Sequence, residues 1–71
     1  MKKLDRPIEK KVYAYFEKNG FDVFQIRHYM AHTLFVIGKD DITREIKLAT
    51  GKVDFNSFIE YFEDYWNTIS R

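Results

Sequence analysis

The chain has no cysteine, one proline, three glycines and almost no net charge. Without cysteine there is no disulfide staple and no thiolate metal site, a composition that suits a reducing cytoplasm. Three glycines, each wanted in a turn, leave none for a loop that cradles phosphate. The longest apolar run, Leu34-Phe35-Val36-Ile37, is far too short to cross a bilayer. No apolar segment follows Met1 in the manner of a secretory signal. A soluble cytoplasmic protein without membrane contact is the expectation. The formal charge of +1 argues neither for nor against nucleic acid.

What the chain does have is aromatic mass. Seven Phe, five Tyr and one Trp make up 18% of its 71 residues. That length is one domain, near the lower limit for a self-sufficient core. A buried Phe stabilises by roughly 1.5–3 kcal/mol, so a handful can offset the ordering entropy of a short chain. The densest stretch is the last one. Phe55, Phe58, Ile59, Phe62, Trp66 and Ile69 fall on one stripe of a helix, and the rest of the chain is expected to cover it.

The spacing predicts a first helix over about 6–19, capped by Asp5 and with Pro7 in its first turn. Ile8, Val12, Tyr15 and Phe16 form its apolar stripe, while Glu9, Lys10, Glu17 and Lys18 are expected to point outward. Gly20 ends it, with Phe21 folding back onto Phe16. From Asp22 the period changes to two, in residues that suit a pleated surface. Strands are expected over about 23–29, 32–37 and 42–49, and a last helix over about 55–70 with Asp54 as its N-cap and Val53 stapled to Phe58. The order α-β-β-β-α gives an α+β fold, a two-layer α/β sandwich. Its sheet is a three-stranded antiparallel meander with both helices on one face.

Register follows from the turns. A turn over Gly38-Lys39-Asp40-Asp41 pairs Ile37 with Ile42, Phe35 with Arg44 and Thr33 with Ile46. A two-residue turn at Met30-Ala31 pairs Ile26 with Phe35 and Phe24 with Ile37. The covered face then carries Phe24, Ile26, Phe35, Ile37, Ile42, Ile46 and Leu48. The open face carries Gln25, Arg27, Tyr29, His32, Leu34, Val36, Thr43, Glu45 and Lys47.

No arrangement of residues points to catalysis, and no enzyme, cofactor or metal is expected. His28 and His32 would be a metal pair on a helix, but around a tight strand turn they should face opposite ways. Asp40 and Asp41 suit a wet turn better than acid–base work. Ser57 and Ser70 lack any activating context.

Two surfaces are left over. On the open sheet face, Leu34 and Val36 are ringed by Arg27, Tyr29, His32, Thr43 and Lys47, an apolar centre with a polar rim. On the last helix, Tyr61 and Tyr65 lie beside Glu60, Glu63 and Asp64, an aromatic–acidic patch suited to a basic partner. Tyr13 is a further tyrosine off the apolar stripes. Charge is also uneven: residues 1–30 hold seven basic against four acidic residues, and residues 54–71 one against four.

The α-β-β-β-α order resembles that of double-stranded RNA-binding domains in topology. Those domains grip phosphates with a lysine-rich start to the last helix, where this chain reads Gly51-Lys52-Val53-Asp54-Phe55-Asn56. Their first hairpin is longer and contains Gly/Pro, where this chain has Met30-Ala31, and membership is not inferred. The same order occurs in small regulatory or inhibitor proteins of phages and mobile elements, a fold-level analogy. The leading expectation is accordingly a small non-enzymatic protein-binding module, a regulator or inhibitor of a phage or mobile element, acting through either leftover surface. The alternative is a nucleic-acid-binding domain using Lys2, Lys3, Arg6, Lys10, Lys11 and Arg27 with the open sheet face. A third expectation is a homodimer formed by pairing sheet edges.

Overall fold

The computed structural model describes residues 6–49, 51 and 53–70. The elements are α1 (Pro7–Lys18), β1 (Asp22–His28), β2 (His32–Lys39), β3 (Ile42–Ala49) and α2 (Phe55–Ile69). All bounds lie within two residues of those read from periodicity. The sheet order is β1-β2-β3, antiparallel throughout, and both helices pack on one face of it.

Helix α1 starts one residue later than its expected cap. Arg6 is the N-cap residue, in extended backbone, and Pro7 occupies the first helical position, where its fixed φ and missing N–H cost little. Asp5, the expected cap, lies outside the described residues, as do Lys2 and Lys3. The other end follows the sequence signal closely. The Phe21 N–H bonds Phe16 O at 2.9 Å and the Gly20 N–H bonds Glu17 O at 3.2 Å, with Gly20 at φ +84°. This is a Schellman closure, and it brings the Phe21 ring to 5.7 Å from Phe16. Helix α2 begins as expected, with the Asp54 carboxylate accepting the Ser57 N–H at 2.8 Å. The Ser57 hydroxyl first, and then this N–H, hold the Asp54 pKa below the usual carboxylate range.

The β2–β3 hairpin turns more tightly than expected. Asp40 and Asp41 both take positive φ, +53° and +68°, and form a two-residue turn closed by Lys39 and Ile42. The register therefore moves by two residues: Ile37 pairs with Arg44, Phe35 with Ile46 and Thr33 with Leu48. A shift of two leaves every side chain on its own face, so the inside–outside assignment of β3 survives the error.

On β1 the error is of one residue, and it does change a face. Ile26 pairs with Phe35 as expected, but a bulge between Val23 and Gln25 sets Val23, not Phe24, opposite Ile37. Val23 is buried and Phe24 is 59% exposed. The Phe24 ring lies over Gly38, where a Cβ would sit 2.6 Å from the ring. A glycine in the central strand is what gives this ring its seat.

The core lies between the sheet and the two helices. Phe16 is its hub, with ring centroids 5.1 Å from Phe62, 5.5 Å from Phe35 and 5.7 Å from Phe21, all edge-on. Phe58, Phe62 and Trp66 are the buried face of α2, and Ile37, Ile46 and Leu48 the floor beneath.

Gly38→Ala should destabilise the chain by about 1 kcal/mol by displacing the Phe24 ring, and the penalty should largely vanish in a Phe24→Ala background. Urea unfolding of the four proteins of that double-mutant cycle measures it.

Candidate functional site

The least expected feature is Glu9. It was expected to point outward, yet it is 0% exposed, and Glu9, Val12 and Phe16 form the buried face of α1. The stripe is rotated toward Glu9 because the carboxylate has polar partners on every side. Its Oε1 accepts the Arg6 N–H at 3.0 Å, closing the helix start. Its Oε2 accepts from Arg6 Nη1 at 3.3 Å and from the Thr33 hydroxyl, and lies 3.1 Å from His28 Nδ1. Thr33 is also fully buried, and it pairs directly with His28 across β1 and β2. A buried carboxylate is tolerated only when its lone pairs are satisfied, and this one is.

Glutamate, histidine and a hydroxyl together invite comparison with a nucleophile, base and orienting acid. The order of contacts differs: both Thr33 and His28 bond Glu9, so the hydroxyl is bonded to the carboxylate rather than to the imidazole. What the cluster does physically is tie α1 to β1 and β2 at a fixed height. Glu9→Ala should cost about 2 kcal/mol or more by stranding the buried Thr33 hydroxyl, whereas Glu9→Met with Thr33→Val should recover much of that loss. Chemical denaturation at constant pH distinguishes the two outcomes.

The histidines face opposite ways, as expected. His28 reaches Glu9 on the covered side, and His32 stacks on Tyr29 on the open side with centroids 4.7 Å apart. Among the described residues no group of three His, Cys, Asp or Glu is placed to hold a metal ion, and no helix is long and apolar enough to cross a membrane.

The open face carries Arg27, Tyr29, Leu34, Val36 and Lys47, as expected. Leu34 and Val36 are half-buried on the central strand, and Tyr29 is 45% exposed at one end. The bulge adds Phe24 at the other end, which sequence alone placed in the core. The two-residue signal for it was present, since Val23 and Phe24 compete for one inward position and Gly38 lies across from them.

The patch on α2 is not one surface. Glu63 accepts the Tyr15 hydroxyl at 2.8 Å and so belongs to the flank facing α1. It is two residues from Tyr61, hence about 200° around the helix. Tyr61 and Tyr65 lie on the other flank, where with Glu45, Ile46, Lys47 and Phe62 they line a groove of about 310 Å³ along β3. Glu60 and Asp64 stay exposed between the flanks, and Tyr13 packs half-buried against the core. The basic set is divided too: Lys10 and Lys11 are on α1, and Arg27 is on the opposite side of the sheet.

Burial, reinforced by the bond to Glu63 and its charge, pushes the Tyr15 phenol up to about 12. The folded chain thus favours the neutral phenol. That stabilisation is full below the unfolded value of about 10 and is lost as pH rises through about 12. Tyr15→Phe should abolish this alkaline loss, read from urea midpoints across that pH window.

No known protein family matches the chain, and no curated protein or solved structure matches it either.

Proposed function

We propose that this chain is a non-enzymatic protein-binding module that docks through the open face of its sheet. The observation that carries this reading is the arrangement along that face. Leu34 and Val36 sit between two exposed rings, Phe24 and Tyr29, with Arg27, Thr43, Glu45 and Lys47 around them. An apolar centre, aromatic anchors and a charged rim of mixed sign are the anatomy of a modest protein interface. The partner this fits is a protein surface of matching apolar centre, and a regulator or inhibitor would act by such docking.

A second reading draws on the same rings. Phe24 and Tyr29 are exposed rings, with half-buried His32 stacked on Tyr29, and single-stranded nucleic acid is bound by stacking on rings of this kind beside basic groups. It requires affinity that falls steeply with salt.

Capture of a partner from host extract should be lost with Leu34→Lys and reduced about tenfold or more with Phe24→Ala, while Tyr65→Ala retains it. Capture unchanged by both sheet substitutions in folded protein would remove the reading. A fluorescence titration with single strands at low ionic strength decides the alternative: saturable binding that disappears with added salt would replace protein docking as the conclusion.

A further inference from the structure

The two edges of the sheet are built differently. The β1 edge is broken by the bulge at Val23–Gln25, which spoils it as a template for another strand. The β3 edge runs for eight residues, and its pairing with β2 has no irregularity. Which of its backbone groups face outward follows from the hairpins. The Tyr29 N–H bonds His32 O, so His32, Leu34 and Val36 turn their amides toward β1, and Thr33, Phe35 and Ile37 toward β3. Their partners Leu48, Ile46 and Arg44 therefore point inward, leaving Thr43, Glu45, Lys47 and Ala49 with backbone groups directed out of the sheet.

We infer that β3 pairs antiparallel with β3 of a second copy of this chain, about a two-fold axis through Ile46. Charge selects both the occupant and the register. Two copies can share their outward amides only in alternate registers. Centring the axis on Glu45, Lys47 or Arg44 sets like charges directly opposite each other, which is destabilising. Centring it on Ile46 sets Glu45 opposite Lys47 of the second copy, twice, and Thr43 opposite Ala49. Charged edge residues ordinarily prevent strand addition. Here they exclude the registers on either side and leave the one that pairs all of residues 43–49.

The side chains above the strand agree. The groove along β3 is centred on Ile46, the residue on the axis, and is walled by Tyr61 and Tyr65. Tyr61 is 70% exposed there, although a tyrosine ring beside a groove is a ready anchor. The two-fold brings the Tyr61 of each copy to the groove of the other. The product is a continuous six-stranded sheet, and the inference is independent of what docks on its open face.

Sedimentation of the intact chain should show a species of twice its 8.6 kDa mass at high concentration, dissociating on dilution. Glu45→Lys or Lys47→Glu alone should weaken self-association about tenfold or more by setting like charges opposite. An equimolar mixture of the two variants should restore the dimer, because every facing pair is again Glu against Lys. The double swap in one chain should also restore it. A wild-type chain that stays monomeric would overturn the inference. So would single variants that associate normally, or a dimer lost with Leu34→Lys but not with Glu45→Lys, since that result would place the contact on the open face.

Discussion

Everything in this fold depends on burying the aromatic stripe of α2 without a disulfide to help. Phe16 is the residue through which that is done, because its ring meets α2 at Phe62, the sheet at Phe35 and the helix-ending loop at Phe21. The contacts are edge-on, an arrangement worth roughly 0.5–1.5 kcal/mol per pair beyond area alone. In so short a chain that specificity matters as much as the area. Lys39 completes the closure: its ammonium lies 4.9 Å from the Phe21 centroid and donates to Asn19 O at 2.8 Å, at the negative end of α1. The hairpin that carries Lys39 is thus tied to the helix end that carries Phe21.

Glu9 solves a different problem, the height and rotation of α1 over the sheet. Aromatic contacts are forgiving of small rotations, whereas a carboxylate bonded at once to Arg6, Thr33 and His28 is not. Replacing such a cluster by apolar groups need not lose stability, so its value is in fixing one arrangement among several that would bury similar area.

Most of the architecture was legible because two periods suffice to read it, 3.6 for the helices and 2 for the strands. The Gly20–Phe21 closure and the Asp54 cap were legible because each is a local rule with one strong residue. What failed was whatever needed two segments at once. Phe24 was misplaced because a bulge is a count of residues between partners, and alternation within one strand cannot reveal it. Glu9 was misread because its own segment makes it an ordinary surface residue. The clue lay elsewhere: the register already set Thr33 opposite His28 on the covered face, and two polar groups there require a third. The α2 patch was misjudged in the same manner, since Tyr15 claims Glu63 from another helix.

The surfaces available for binding are those that structure does not already use. Glu63 is engaged by Tyr15, Lys39 by Asn19 and Phe21, and Arg6 and His28 by Glu9. Phe24 is different. Its exposed ring rests on Gly38, and a glycine inside a central strand costs roughly 0.5–1 kcal/mol relative to alanine. The core gains nothing from that arrangement, because Val23 already fills the inward position opposite Ile37. Weakening the central strand in order to hold an aromatic ring on the uncovered face is sensible only if the ring meets something. The seated ring supports docking on the open face more strongly than half-buried Leu34 and Val36 do, since the strand would favour those two on propensity alone.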